Sequence, residues 1–500
     1  MPQVNVSVNE LAGSGGVPTG TGAAFIAGPT DQGPPVGGPL YVKCSQLSDY
    51  VTAFGPRSAT SATMYDWLDE FFHDGGGSAV AYVTRETDNT ATSASLQLQD
   101  SGPEPTIKVT ALTPGTDGNN IYIVVAVSGG SFTIDVEDSA GDILESWGPY
   151  STTAALYAAN VASQYVSFAQ STATGHTTNN PAALTATALS GGADASDLTD
   201  AKAVAALANF PPTLGPGTVA LPGVTSSTGW TGLMAHAQAN NRFYVLDTPD
   251  STSAATVISN FSTTGAASNA SYGLAVQGSL ILPGITPGTT RTVPGSAAVA
   301  ALRSQVASTP NQNTAPAGPT WPLTYPQGFT TYFGSAVGPT LAAPCFSQTD
   351  INSLTNAGIC FFANWYDTLC LFEFVTPVSK TIDLTYWQAS ASCERMNLVY
   401  LGQRIMATYL FQTNDAANNL INKVTNDLNG MGRSEYNAGA IGYPQDSFEE
   451  AFAVNVAAPI NTPLTEGAGQ LNANIQVHIG PFVDIANESI TTVPGTVAVS

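Results

Sequence analysis

Residues able to do chemistry are sparse in this 500-residue sequence and lie far apart. The four histidines, His73, His176, His236 and His478, share no short motif, and a metal or triad site built on them would need long-range assembly. No G-x-S-x-G, H-E-x-x-H or G-x-x-x-x-G-K-[ST] pattern occurs. Asp247 closes an apolar, strand-like run, Phe243 to Leu246, and carboxylates at strand ends of α/β sheets often serve catalysis. No nucleophile or base motif accompanies it, so it reads as an Asp that turns the chain before Pro249. Gly75, Gly76 and Gly77 follow a helical stretch instead of preceding one. No helix N-terminus therefore points at a phosphate, and the triplet reads as a helix stop. Cys44, Cys345, Cys360, Cys370 and Cys393 are odd in number and contain no C-x-x-C pair. They are expected as buried small apolar side chains in a reducing compartment. The expectation is a chain with no catalytic residue, no cofactor and no metal.

Composition points the same way. The formal net charge is −23, with 13 Lys plus Arg scattered and never in a run. Phosphate-backbone binding needs a basic footprint, so direct nucleic-acid binding is not expected, nor is attraction to anionic membranes. Charged residues are only 10% of the chain, well under the roughly 25% of an average domain. Ser, Thr, Asn, Gln and Gly keep the surface wet instead. Two readings fit: much of the surface is covered by other subunits, where isolated charges are costly to desolvate, or the lineage favours uncharged polar surfaces. Met1 to Leu11 has no charged segment followed by an apolar one, so no signal peptide is expected. No apolar run is long enough for a membrane helix.

The elements follow from periodicity. Val4, Val6 and Val8 share one face of an extended segment, and a Gly-rich tether follows to Gly22. Ala23 to Gly28 and Leu40 to Lys43 read as strands, and Ser45 to Phe54 as a helix. Met64, Trp67, Leu68, Phe71 and Phe72 form a helical stripe, and Ala79 to Thr84 a strand. Thr106 to Ala111, Ile121 to Val127 and Phe132 to Val136 are β-branched runs separated by Gly-rich turns, with helix expected near 152 to 170. Residues 197 to 209 read as helix and Phe243 to Leu246 as strand. Helix-like and strand-like segments alternate to about 305, and 306 to 344 carry no clear pattern. A helix over 349 to 357 precedes a hairpin, Ile359 to Phe362 with Cys370 to Phe374. A long apolar helix spans 392 to 412. A second, capped by Asp415 and ended by Gly430, carries Leu420, Ile421, Val424 and Leu428. Ala451 to Ala457 and Leu471 to Ile479 read as strands. The tail alternates again at Val493, Val497 and Val499.

Several of these stretches resemble the tail sheath family of contractile phages. The opening matches in Phe25-Ile26-Ala27-Gly28, Gly33-Pro34, the helix from Tyr50 to Phe54 with Gly55, and the aromatic helix running into Gly75-Gly76-Gly77. Pro114-Gly115-Thr116-Asp117-Gly118-Asn119 is similar to the family's Pro-Gly-x-x-Gly-Asn turn. Leu189 to Asp194 resembles its Gly-Gly-x-Asp boundary, and Phe243 to Pro249 its strand ending in Asp-x-Pro. Val293-Pro294-Gly295-Ser296 looks like an altered Pro-Pro-Ser-Gly loop. Leu354 to Ile359, Arg395 in the long helix, and Val454 to Pro459 with Pro463 complete the match. It covers most of the chain, and order and spacing carry it.

The resemblance implies an α/β and α+β multidomain fold. A core α/β domain would be built from both N- and C-terminal segments, with β-rich and α/β insertion domains and extended terminal strand arms. The expected division is arm and linker 1–22, core 23–88, β-rich insertion 89–192, α/β insertion 193–348, core 349–490 and C-terminal arm 491–500. Val4, Val6, Val8, Val493, Val497 and Val499 would be the intersubunit residues. Implied partners are further copies in stacked hexameric rings, a tail tube protein, and baseplate and tail terminator proteins. The implied place is the virion tail, assembled in the host cytoplasm. The sheath of a related contractile device, of bacteriocin or secretion type, fits the same residues. A secreted β-rich surface protein and a hydrolase using Asp247 are the alternatives from other classes.

Overall fold

The computed structural model describes residues 22–33, 40–86, 90–195, 198–261, 269–337, 343–413 and 419–481. The chain opens with β1 (Ala23–Gly28), β2 (Val42–Cys44), α1 (Leu47–Phe54), α2 (Ala62–Asp74) and β3 (Val80–Arg85). α2 stops where the glycines begin: Gly75 N–H closes back on Phe71 O, and Gly76 takes φ 77°. A β-rich stretch follows: β4 (Ser95–Gln99), β5 (Pro105–Ala111), β6 (Tyr122–Ser128), β7 (Ser131–Glu137), β8 (Ile143–Tyr150), α3 (Thr153–Ala158), β9 (Val166–Gln170) and β10 (Leu184–Ala188). The helix expected near 152 to 170 is confined to α3. Val166 to Gln170 pairs instead with β5, which needs a third strand to cover its second edge.

The next elements are α4 (Asp200–Ala206), β11 (Thr218–Ala220), α5 (Ser227–Ala239), β12 (Phe243–Asp247), α6 (Ala254–Phe261), β13 (Gly273–Gln277), β14 (Leu280–Pro283), β15 (Thr290–Val293) and α7 (Ser296–Ala307). They lead into β16 (Gly328–Phe329), β17 (Phe333–Gly334), α8 (Gln348–Asn356), β18 (Ile359–Trp365) and β19 (Thr368–Phe372). The chain closes with α9 (Leu384–Trp387), α10 (Ala389–Thr408), α11 (Asn419–Asn437), α12 (Phe448–Ala451), β20 (Phe452–Asn455), α13 (Pro463–Gly467) and β21 (Asn474–Val477).

One nine-stranded sheet organises the body, in the order β17-β18-β13-β12-β11-β1-β3-β2, with β19 also on β18. From β3 across to β17 every neighbouring pair is parallel. Such strands are covered on both faces, which is why they read as unbroken apolar runs. In β1, Ala24 and Ile26 face a core shared with Tyr50, Trp67, Phe71, Leu302 and Met396. Ala23, Phe25 and Ala27 face the opposite core, with Ala203, Leu233, Val257 and Leu354. The result is helix, sheet, helix.

This sheet corrects the expected division of the chain. The stretch 193–348, read as an α/β insertion, supplies β11, β12 and β13, which sit in the middle of the sheet between β1 and β18. Parallel pairing joins strands distant in sequence, and no local pattern records that register. The β-rich stretch stands apart in a four-stranded sheet, β10-β6-β7-β8, and a three-stranded one, β4-β5-β9. Their shared core, including Ile107, Ile123, Phe132 and Leu189, draws only on residues 94 to 189.

A second correction concerns α11, which runs through Gly430 to Asn437. Two interior glycines weaken a helix, but here Gly432 lets the Phe452 ring rest where a Cβ would stand, 2.4 Å from its nearest atoms. Burial of Leu428 and Met431 carries the helix onward. Asp415, the expected cap, lies outside the described residues.

Arg85, at the end of β3, joins the sheet to the β-rich unit. Its side chain is 5% exposed and donates to Asp31 O at 3.1 Å and Pro114 O at 2.5 Å, with Asp194 3.8 Å away. Gly115, at φ 140°, admits Asp31 O where a side chain would collide. Arg85→Ala leaves two carbonyls without their donor. It should cost roughly 1–3 kcal/mol and speed proteolysis near Glu86 and Asp194 while the main sheet stays protected. Digestion at an unchanged rate would count against this joint.

Candidate assembly surface

Asp247 ends β12, and its carboxylate does not turn its own chain. It accepts from Ser296 N at 2.8 Å and Ser296 Oγ at 2.7 Å, so it caps α7 from a distance. Ser296 Oγ in turn accepts from Trp67 Nε1 of α2 at 2.9 Å. Burial pushes the Asp247 carboxyl up to about 6, against the pull of these donors. The strand-order reversal between β1 and β11, where open α/β sheets commonly bind ligands, is filled by protein. Met64 Sδ lies 2.5 Å from the Cβ position of Gly28, and Thr63 stands 3.4 Å from that of Gly223. A cleft of about 270 Å3 lies at the opposite, amino-terminal ends of β11 and β12, bounded by Gly215, Asn241, Arg395 and Tyr400.

The histidines stay apart. His73 stacks on Tyr325 at 3.8 Å, His236 Nε2 accepts from Arg242 at 2.8 Å, and His478 pairs with Asp446 at 2.9 Å. Burial and the Arg242 charge hold His236 down at about 4, so it is neutral when it accepts. Among the described residues no group of three or more His, Cys, Asp or Glu is placed to hold a metal ion. The five cysteines are free thiols; Cys345 is partly exposed and the others are buried.

The surface of most interest is carried by α10, α11, β20 and β21. The strands Ala451 to Ala457 and Leu471 to Ile479 of the sequence reading appear here as a pair with no third member among the described residues. β20 and β21 pair antiparallel, with Phe452 opposite Val477 and Val454 opposite Ile475. Those four side chains belong to a core with Leu398, Val424 and Leu428 of the two helices. Ala453, Gln476 and Asn474 are exposed on the other face. Buried Asn461 locks the connection, donating to Val456 O at 2.5 Å and Asn472 O at 2.6 Å and accepting from Asn472 N at 2.8 Å. Among the described residues the sheet is two strands wide, so each strand has one side with no strand partner. A two-stranded sheet is marginal alone, and an open edge is a template for another chain. The body's sheet differs on its β19 side: Leu323 N and Gly318 N of a preceding loop donate to Leu369 O and Leu371 O, each at 2.8 Å.

Periodicity located both strands, but the open edges depend on which strands fail to meet, and no residue type signals that. The six valines expected in the intersubunit arms, Val4, Val6, Val8, Val493, Val497 and Val499, lie outside the described residues.

No protein-family model matches the sequence, and no curated protein matches it. Solved structures do match. The sheath tail protein of Listeria innocua superimposes with a TM-score of 0.63 at 14% identity, over 94% of this chain and 93% of that one. The sheath tail protein of Desulfitobacterium hafniense gives 0.55 at 14%, over 89% and 93%. The chain has the fold of a tail sheath protein. A third structure, the helical sheath of the anti-feeding prophage in its contracted state, gives 0.53 at 13% identity over 98% and 99% of the two chains. The sheath fold thus spans the body, the β-rich unit and the α10–β21 module together. At these identities the likeness is one of fold.

The Asp247 cap yields a signed pH dependence. A carboxyl that holds its proton more tightly when folded contributes stability below its ordinary 3.8, and that contribution is lost as pH rises through about 6. Asp247→Asn should remove about 3 kcal/mol of loss in unfolding free energy between roughly pH 4 and 6. Denaturant melts of both proteins across that range measure it. Parallel pH curves would refute the assignment.

Proposed function

We propose that this chain is the structural subunit of a contractile tail sheath, polymerising as stacked hexameric rings around a tail tube. The observation that carries this reading is the fold match to the Listeria innocua sheath tail protein over 94% of this chain and 93% of that one. A match in which neither chain has a large part left over favours a shared role for the whole molecule more than one reused domain.

The linkage between subunits follows from the open edges. An extended arm laid beside β20 or β21 gains main-chain hydrogen bonds, and its alternate side chains fix the register. The alternating valines near each end of the sequence have the right pattern for such arms. The glycine-rich stretch from Gly13 to Gly22 would let an arm stay paired while the bodies rotate. The sheath is then a bistable polymer, assembled extended on the tube and released by a baseplate signal. Subunits move mainly as rigid bodies into a shorter, wider helix that drives the tube through the host envelope. No catalytic step enters the cycle. The partners are other copies, the tube protein, and baseplate and terminator proteins, in a virion tail assembled in the host cytoplasm. The fold match to the anti-feeding prophage sheath favours one second reading, the sheath of a related injection device; a DNA-filled head on the purified particle separates the two.

Deleting residues 1 to 11 should leave a folded monomer and abolish ordered tubes. Circular dichroism and negative-stain electron microscopy on the same sample test this. Normal polymers from the truncated chain would sink the arm role.

A further inference from the structure

The body and the α10–β21 module meet along one seam. α10 runs through it: Cys393 and Met396 belong to the body's core, and Leu398 to the module's. Just beyond α7, Asn311 Nδ2 donates to Gly439 O at 3.0 Å, and Asn313 Nδ2 donates to Ala440 O at 3.1 Å and Gly480 O at 2.7 Å. Two acids lie inside the seam. Glu394 of α10 is fully buried, and Glu435 of α11 is 8% exposed. Neither Glu394 oxygen has a hydrogen-bond partner of good geometry, and Glu435 Oε2 has none.

The surroundings do not suit a charged Glu394. From α7 the facing group is Arg303, whose Nε and Nη1 are also unpartnered and whose guanidinium lies 5.5 Å over the Phe243 ring of β12. From α11 it is Glu435, a like charge. From α10 itself it is the Asn397 amide. Arg395, the next residue along α10, points away and stacks on Tyr272 at 4.1 Å and Tyr386 at 4.5 Å. Burial pushes the Glu394 carboxyl well up, the Glu435 charge adds to this, and Asn397 and Arg303 offset it only in part. Burial raises Glu435 as well. A protonated Glu394 changes the balance. It carries no charge to desolvate, and its O–H is a donor where two carboxylates would only repel.

We propose that the Arg303–Glu394–Glu435 seam is a proton-held latch: Glu394 is neutral while the module is docked on the body, and release of its proton to solvent undocks α11 with β20 and β21. The sign follows from linkage. Docking is strongest below the ordinary carboxyl value of 4.5. It weakens as pH rises toward the raised value, because opening releases a proton. The opening constant of the module should grow about tenfold per pH unit in that window. The latch is independent of the sheath reading, since it concerns one chain.

Hydrogen exchange by mass spectrometry on the full chain, corrected for the intrinsic pH dependence of exchange, tests this. Peptides of α11, β20 and β21 should open progressively more as pH rises, while β12 and β13 hold. Glu394→Gln should flatten that rise and keep the module closed. Glu435→Gln, which removes the like charge and the proton release of Glu435 itself, should shrink the total rise, and it serves if Glu394→Gln does not fold. Glu394→Gln should remove one component of the infrared absorption of protonated buried carboxyls and leave those of other buried acids, such as Glu70 and Asp247, in place. A flat wild-type profile, an unchanged rise in either variant, or a carboxyl absorption undiminished in Glu394→Gln would overturn the proposal.

Discussion

One helix belongs to two cores, and the rest of the molecule is arranged around that fact. The first half of α10 is buried on all sides against the sheet, which is why Ser390, Ala391, Ser392 and Cys393 can be small. Its second half carries Leu398, Leu401 and Ile405 into the core under β20 and β21. A continuous helix curves only gently unless its backbone hydrogen-bond ladder is disrupted. The pair of open strands is therefore held at a fixed offset from the sheet as long as the seam stays closed. Whatever binds those edges is coupled directly to the body.

The low charge of the chain looks different once the cations are located. Arg85, Arg242, Arg291 and Arg303 are all buried. Arg242 donates to Gly215 O, Phe210 O and Pro211 O and sits 3.8 Å over the Phe25 ring. Arg291 binds both Asp66 and Asp69 of α2, and Tyr325 donates to Asp69 at 2.8 Å. Using planar, multiply donating cations as internal ties leaves few positive charges for the surface of a chain whose formal net charge is −23. Copies of such a chain repel one another at long range, and salt screens that repulsion. Association must then rest on short-range contacts, for which strand pairing is well suited.

Much of the fold was legible in the sequence because buried parallel strands and amphipathic helices leave periodic marks. Ala23 to Gly28, the Met64 to Phe72 stripe, Phe243 to Leu246, and Ile359 to Phe362 all fall in the expected elements, and the strand expected over Cys370 to Phe374 runs from Thr368 to Phe372. The errors share a cause. Val166 to Gln170 is a strand because β5 needed an edge partner, and α11 passes Gly430 because Phe452 packs on Gly432. Both outcomes were set by residues distant in sequence. Glu394 and Glu435 leave no such mark, because a Glu in a helix reads as solvent-facing until the neighbours on every side are known.

By itself the sequence determined most of the strands and helices, and that none of the G-x-S-x-G, H-E-x-x-H and G-x-x-x-x-G-K-[ST] patterns occurs. Those properties are local: the period of the apolar side chains and the residue types within a few positions. Only the tertiary structure decided that 218–277 threads the centre of the sheet, that Asp247 caps α7, that β20 and β21 have no third strand among the described residues, and that Glu394 and Glu435 meet. Each of those depends on which surfaces come together, and the free energy of such contacts is set by partners far along the chain.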